Sequence, residues 1–144
     1  MKRIIAFIMS LSFVFVFAGC NIQENAKQEI FQLVEENYDT ILKACEEKDV
    51  GALSAIPGIT KVKIDHGYVL VYCKSHGIAP SSQDYGFYYS EDNRPVAVDY
   101  NLYIICDANG LTKAGNGYQY VDYEYNTFYT EHIKGKLYFY SNDC

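Results

Sequence analysis

Four residues with the chemistry of a hydrolase lie close together in the middle of the chain: His76, Ser81, Ser82 and Asp84. In a hydrolytic triad a serine attacks a carbonyl, a histidine takes its proton and an aspartate orients the histidine. Serine and aspartate are equally ordinary residues of loops. No nucleophile elbow, phosphate loop or dinucleotide-binding motif accompanies them in the sequence. The pattern favours a loop over a catalytic site, and we expect a protein that is not an enzyme.

Two other segments have some of the ligands of a metal site. Cys73 and His76 are soft ligands, but no second pair follows them at the spacing of a zinc site. Residues 107–110 (DANG) resemble the start of a calcium loop, yet Tyr118 stands where that loop has its bidentate glutamate. We therefore expect no metal and no cofactor, and a hairpin turn at residues 107–110.

The cysteines beyond residue 20 are Cys45, Cys73, Cys106 and Cys144. Cys45 lies on the apolar face of a predicted helix, and Cys106 alternates with apolar residues of a predicted strand. We predict that both face the space between helix and sheet. Buried free thiols would suit such positions as small hydrophobic groups, whereas an oxidising compartment would allow disulfides. The sequence leaves both alternatives open.

An amphipathic helix is predicted over residues 25–48. Its apolar residues recur at steps of three and four and share one face: Ile30, Phe31, Val34, Tyr38, Ile41, Leu42 and Cys45. The other face carries charged and amide residues, which is typical of a helix that packs on a core: Glu29, Gln32, Glu36, Asp39, Lys43 and Glu46. A short second helical turn is predicted over residues 49–56, before the breaker pair Pro57-Gly58.

From residue 61 onward the apolar period changes to two, which is the period of a strand. The predicted strands are residues 61–65, 68–73, 85–90, 96–106, 118–130 and 136–141. Turn residues separate them, beginning with His66-Gly67, and no crossover helix intervenes. The predicted fold class is α+β, with one N-terminal amphipathic helix packed on a curved five- or six-stranded antiparallel meander.

Tyrosine is unusually abundant, since the chain has 15 tyrosines and no tryptophan, and we find no internal repeat. A small-residue loop from Ala79 leads into a tyrosine-rich strand. Because the helix must cover one face of the sheet, we expect the opposite face to present tyrosines to a peptide, protein or glycan. The candidate ligand surface consists of Ser81, Ser82, Tyr85, Tyr88 and Tyr89. Ordinary cross-strand packing of these tyrosines is the alternative.

The first residues have the order of a secretory signal peptide. Lys2 and Arg3 precede an apolar run of 14 residues at positions 4–17, which is shorter than the about 20 residues of a membrane-spanning helix. Phe17-Ala18-Gly19-Cys20 resembles a bacterial lipobox, with Phe17 where leucine is usual. The resemblance implies cleavage before Cys20 and acylation of its thiol with chains such as palmitate, which would anchor the protein in the lipid bilayer. Cleavage after Ala18 would instead release a soluble protein.

The predicted organisation is a signal peptide at residues 1–19, a lipidated cysteine with a short tether at 20–24 and one domain at 25–144. The chain has a net charge of −6 and no basic patch, so we expect no nucleic-acid partner. Residues 67–73 (GYVLVYC), 79–82 (APSS) and 85–90 (YGFYYS) loosely resemble small lipoproteins of Gram-positive bacteria. That resemblance transfers no site.

These observations together predict a membrane-anchored, extracytoplasmic lipoprotein of the cell envelope with a non-enzymatic binding domain. The main alternative is a small cell-envelope enzyme, such as a hydrolase, with an unrecognised site. A structural or immunity role that acts through one protein partner is a third alternative.

Overall fold

The computed structural model of the protein describes residues 23–78 and 81–143, with the side chain of Ile78 excepted. Its helices are α1 at 23–36, α2 at Tyr38–Glu46 and α3 at Val50–Ser54. The strands are β1 Lys61–Asp65, β2 Tyr68–Ile78, β3 Ser81–Ser90, β4 Ala97–Val98, β5 Ile104–Cys106, β6 Thr112–Ala114, β7 Gly117–Val121, β8 Thr127–Lys134 and β9 Leu137–Asp143. No helix in these ranges is long and apolar enough to cross a membrane. The predicted signal peptide, Cys20, Ala79 and Cys144 lie outside the described residues.

The predicted helix over residues 25–48 is two helices that meet at Asn37. The Asn37 backbone has φ −116° and ψ 17°, which departs from helical geometry. Both its backbone N–H and its side-chain amide donate to the Leu33 carbonyl, at 3.2 and 2.9 Å. Asparagine side chains compete in this way with the backbone hydrogen bonds of a helix, so α1 ends here and α2 begins one residue later.

The mixed class of helices and an antiparallel sheet is confirmed, but the predicted meander of five or six strands is wrong. The main sheet has seven strands in the order β1-β2-β3-β9-β8-β7-β6, and every neighbouring pair is antiparallel. Because β3 pairs with β9, the sheet consists of two meanders joined side by side. The chain between them carries a separate hairpin, β4-β5.

The predicted turn between the first two strands is confirmed. His66 and Gly67 connect β1 and β2 with φ angles of 43° and 84°. Positive φ at both central residues is the conformation that matches the twist of a two-residue hairpin. Asp65 and Tyr68 are therefore held as the last paired residues of the hairpin.

The helices cover one face of the sheet. Their apolar residues pack with alternate residues of the central strands in one core: Ala26, Ile30, Val34, Ile41, Cys45 and Leu53 from the helical part, with Val69, Val71, Tyr85, Phe87, Tyr89, Leu137 and Phe139 from the sheet. Cys45 lies in this core, as predicted, and Cys73 also belongs to it.

The opposite face of the sheet is also covered, which the sequence did not predict. Val96, Val98 and Leu102 pack over Tyr88 and Tyr138 in a second core. The expectation of an open face opposite the helix is therefore wrong for the central strands.

Cys106 does not face the helices, and that prediction is also wrong. It lies in β5 opposite Ala97 of β4, in the small sheet that covers the second face. Its thiol is half-buried and donates to the Asp107 carbonyl at 3.4 Å. Cys45, Cys73 and Cys106 all carry free thiols.

Candidate functional site

The predicted ligand surface at residues 81–89 is not an exposed tyrosine surface. The relative exposure is 0% for Tyr85 and Tyr88 and 6% for Tyr89. Ser81 is exposed and Ser82 is half-buried. The prediction fails because the helices cover Tyr85 and Tyr89 while residues 96–102 cover Tyr88. These tyrosines instead pack within the sheet, which was the alternative interpretation.

Tyr88 fastens the covering segment to the sheet. Its hydroxyl accepts the Val96 N–H at 2.9 Å and lies 2.7 Å from the Thr130 hydroxyl, which in turn donates to the Phe139 carbonyl at 3.0 Å. Its ring stacks on Tyr138 with centroids 5.3 Å apart. Burial raises the pKa of Tyr88, so its hydroxyl stays protonated to a higher pH than that of an exposed tyrosine.

The hydrolytic residues are not brought together. His76 pairs with Gln83 across the strands, and Asp84 pairs with Ser75. Successive residues of a strand point to opposite faces, so His76 and Asp84 lie on different sides of the sheet. Asp84 instead accepts a long hydrogen bond of 3.3 Å from the Tyr72 hydroxyl.

The two metal candidates also lack a complete set of ligands. Cys73 is buried in the helix-side core, whereas His76 is exposed. Residues 107–110 form a turn, in which the Gly110 N–H donates to the Asp107 carbonyl at 3.1 Å. The predicted hairpin is wrong, because β5 pairs with β4 and β6 pairs with β7. Within the part of the chain that the structure describes, no group of three or more metal-ligating side chains is present.

Two loops with the same sequence start and the same hydrogen bonds form the most exposed aromatic surface. The first aspartate loop is residues 99–103, after Val98, and the second is residues 122–126, after Val121; each begins Asp-Tyr. In the first, Asp99 Oδ1 accepts the backbone N–H groups of Asn101 at 3.0 Å and Tyr103 at 2.7 Å. In the second, Asp122 Oδ1 accepts those of Glu124 at 2.8 Å and Asn126 at 3.0 Å.

The backbone of the two loops matches as well. The fourth residue has a positive φ in both, 60° at Leu102 and 68° at Tyr125. Each aspartate also forms two backbone hydrogen bonds within its own loop. Its N–H donates to the carbonyl of the fifth loop residue, and its carbonyl accepts the N–H of the fourth. Aspartate favours such turns because its short carboxylate can bond backbone N–H groups two residues ahead.

These loops direct tyrosines into solvent. Tyr123 is 88% exposed and Tyr125 is 86% exposed, while Tyr100 and Tyr103 are more than half exposed. Large aromatic side chains are usually buried in proteins, and clusters that are not buried mark interaction sites. The exposed tyrosines therefore lie in these two loops and not at the predicted residues 81–89.

A cleft of about 290 Å³ lies between the two aspartate loops. Its lining residues are Asp99, Tyr100, Ile105, Tyr120, Asp122, Tyr123, Asn126 and Phe128. Tyr120 and Phe128 are direct cross-strand partners, with ring centroids 6.1 Å apart. The lining has aromatic rings, carboxylates and one amide, and it has no lysine, arginine, histidine, serine or cysteine.

A row of cross-strand partners connects this cleft to buried polar groups. Asp84, Asn142, Phe128 and Tyr120 are successive partners across β3, β9, β8 and β7, and so share one face. Among the described residues, neither the Asn142 amide nor the Tyr140 hydroxyl has a hydrogen-bond partner, although both side chains are buried. Buried polar groups are rarely left unpaired, but neither Asn142 nor Tyr140 belongs to the lining of the cleft.

Burial raises the pKa of two ionisable side chains on this face of the sheet, Asp84 and Tyr140. Burial raises the pKa of Asp84 above its ordinary value, against the lowering effect of the Tyr72 hydrogen bond. Burial also raises the pKa of Tyr140, and nearby ionisable groups that include Asp84 and Asp99 add to that rise. Gly86 makes room for this ring, because a Cβ atom there would lie 2.7 Å from the Tyr140 hydroxyl.

The cleft residues were missed in the sequence, although one signal was present. The tripeptide Val-Asp-Tyr occurs at residues 98–100 and again at 121–123, each time inside a segment predicted as one long strand. A repeated turn-forming aspartate followed by tyrosine indicates two loops, and the finding of no internal repeat overlooked it. Protein-family models, curated proteins and solved structures were compared with the chain, and none matches it.

Proposed function

We propose that the protein is a membrane-anchored, extracytoplasmic lipoprotein whose single domain, residues 25–144, binds a ligand without transforming it. The observation that carries the binding proposal is the cleft between the two aspartate loops, with Tyr123 88% exposed at its rim. Tyrosine offers a large rigid contact area and a hydroxyl together, and interaction sites are enriched in it. This cleft replaces residues 81–89 as the proposed ligand surface.

Anchoring rests on the sequence at Cys20, whose thiol would carry the acyl chains. Residues 21 and 22 alone separate Cys20 from the helix described from residue 23. Three extended residues reach about 10 Å, so the domain would sit close to the bilayer. The chain is acidic, with a net charge of −6, and an anionic membrane would repel its surface instead of binding it.

The hydrolase alternative has one observation in its favour, because two carboxylates flank an aromatic cleft, as in enzymes that cleave glycosides. Asp99 and Asp122, however, each use Oδ1 for two backbone N–H groups. The second oxygen of Asp122 accepts the Asn126 amide at 2.9 Å. Carboxylates that hold their own loops are poorly placed as acid and base, and this supports binding over catalysis.

Photo-crosslinking in cells that express the full chain tests the binding proposal. A benzophenone side chain replaces Tyr125, beside the cleft, and in a matched control replaces Val50, which is exposed on α3. We expect a discrete adduct from position 125 and none from position 50. Absence of an adduct at position 125, or equal adducts at both positions, would contradict the proposal.

Anchoring has a separate test in the mass of the mature protein. We expect the wild-type protein to carry a lipid mass on Cys20 and to stay with membranes in high salt. Cys20→Ser should remove the lipid mass and leave the protein unprocessed or released. A wild-type protein that washes off membranes without lipid mass would contradict the anchor.

A further inference from the structure

We propose that the cleft between the aspartate loops receives a lysine side chain of a polypeptide ligand. This inference rests on the proposed binding function and names the chemistry of the ligand. The ammonium group would lie against the tyrosine rings and near Asp99, and the exposed tyrosines at the rim would contact the polypeptide around it.

Charge complementarity is the first argument. The lining contains two carboxylates, four aromatic rings and no basic residue. Within the described chain, neither Asp99 nor Asp122 takes part in a salt bridge. Aromatic faces attract cations through the ring quadrupole, most strongly when the cation is partly desolvated. A cleft with both kinds of group therefore favours a cation over an anion.

The protein itself places lysines on neighbouring tyrosines of this surface. The Lys63 ammonium lies 3.3 Å from the ring centroid of Tyr103, the last residue of the first aspartate loop. The Lys113 ammonium lies 4.8 Å from the ring of Tyr118, which shares a strand face with Tyr120 of the cleft. In the described ranges no such lysine covers Tyr100 or Tyr123. The rings of Tyr100 and Tyr123 can therefore form the same cation–π contact with a lysine of a ligand.

Hydrogen-bonding capacity points the same way. Asp99 Oδ2 accepts no hydrogen bond from the described residues, since the loop uses only Oδ1. The one amide donor of the lining, Asn126 Nδ2, is already bound to Asp122. Apart from tyrosine hydroxyls, the cleft thus offers acceptors and π faces. An ammonium has three donors and no acceptor, so it matches the unused acceptor Asp99 Oδ2.

The size and rim of the cleft favour a side chain that belongs to a larger partner. A volume of about 290 Å³ is at the small end of ligand pockets, which hold about 300–1,000 Å³. Tyr123 and Tyr125 stand almost fully exposed beside it, where only a ligand that extends beyond the cleft would cover them. A lysine inserted from a polypeptide would use both features.

NMR titration of the full-length chain, solubilised in detergent, tests this inference with defined peptides. The probes are acetyl-Gly-Gly-Lys-Gly-Gly-amide, the same peptide with norleucine in place of lysine, the same peptide with glutamate, and maltotriose. We expect the lysine peptide to shift resonances of residues 99–105 and 120–128. It should bind at least about fivefold more tightly than the norleucine peptide, which corresponds to about 1 kcal/mol of cation–π attraction.

Two variants test whether the Tyr123 ring and the Asp99 carboxylate bind the lysine, and a second cleft serves as an internal control. Tyr123→Leu, which keeps an apolar side chain, and Asp99→Asn, which keeps the loop acceptor, should each weaken lysine-peptide binding several-fold. A cleft between α2 and α3 is the control; it is lined by Asp39, Glu47 and Asp49 together with Lys43, and has no aromatic residue. Equal shifts at that cleft would show general attraction to negative charge and would contradict the inference.

The outcomes separate the ligand class from the proposed function. Equal binding of the lysine and norleucine peptides, or binding of maltotriose alone, would overturn the lysine inference while supporting a binding cleft. Failure of the lysine peptide to shift the cleft would also overturn the inference. The proposed function itself would be contradicted by the crosslinking experiment, which does not depend on the ligand class.

Discussion

Tyr88→Phe is expected to destabilise the protein through one hydroxyl group. The hydroxyl is fully buried, accepts the Val96 N–H at 2.9 Å and contacts the Thr130 hydroxyl at 2.7 Å. Phenylalanine keeps the ring that stacks on Tyr138 and the apolar contacts of the second core. The substitution therefore isolates the bond that holds residues 96–102 over the sheet.

The expected loss of unfolding free energy follows from the Val96 N–H, which loses its hydrogen-bond acceptor. A buried N–H left without an acceptor costs about 1–3 kcal/mol. Thr130 retains its bond to the Phe139 carbonyl at 3.0 Å, so its hydroxyl adds little. We expect the free energy of unfolding to fall by about 2 kcal/mol, a large share of the about 5–15 kcal/mol of a typical domain.

Urea denaturation at equilibrium measures this change, with Tyr85→Phe as the matched control. The Tyr85 hydroxyl donates to the Gln83 side chain at 2.6 Å. Because Gln83 is only half-buried, its carbonyl can bond water instead, so the loss should cost about 0.5–1 kcal/mol. A Tyr88→Phe variant that is no less stable than Tyr85→Phe would refute the reasoning, because the buried bond would then contribute nothing particular.

Three further predictions concern the aspartate loops, Asp84 and the thiols. Asp99→Ala removes the acceptor of two backbone N–H groups and should cost about 1–2 kcal/mol in denaturation, whereas Asp99→Asn keeps an acceptor and should stay near wild type. Because burial raises the pKa of Asp84 above 3.8, its contribution to stability is present below that value and is lost as pH rises through the folded pKa. Asp84→Asn should flatten this part of the pH–stability curve, and an unchanged slope would contradict the burial. Burial raises the pKa of Cys45 and Cys73 to about 12, so mass mapping with a thiol reagent at about pH 7 should find Cys106 modified before Cys45 and Cys73; early modification of Cys45 would place it outside the core.

The regular elements could be predicted because their signals are local. The three- and four-residue steps that include Ile30, Val34 and Ile41 predict the helical face that the structure buries. His66-Gly67 predicts the first hairpin, since few residue pairs adopt two successive positive φ angles. In both cases residues near each other in the chain decide the outcome.

The predicted long strands at residues 96–106 and 118–130 are each two strands joined by a loop. The prediction was wrong because neither loop is marked by glycine or proline. Leu102 and Tyr125 adopt positive φ angles of 60° and 68°, a conformation that large residues rarely take. The bonds to Asp99 and Asp122 hold the loops there, so the break depends on a residue three positions earlier. An alternating apolar pattern gives no sign of it.

The location of the tyrosine surface depended on contacts between distant segments. Alternation correctly divides Tyr85 and Tyr88 between the two faces of β3. Whether a face is open depends on what else covers it, and here residues 96–102 cover Tyr88. The chain thus buries the tyrosines of its central strands and exposes those of its two aspartate loops.

The most direct test of the central claim compares exposed and buried tyrosines in the same crosslinking assay. The benzophenone at position 125 reports binding in three backgrounds: wild type, the double variant Tyr100→Ser with Tyr123→Ser, and Tyr88→Phe. Removal of interface anchors typically costs more than 1–2 kcal/mol of binding, so the double variant should lose about tenfold or more of the adduct while its melting temperature stays unchanged. Tyr88→Phe should melt earlier yet keep its adduct below its melting temperature. An adduct that survives in the double variant would contradict the claim that this cleft is the binding site.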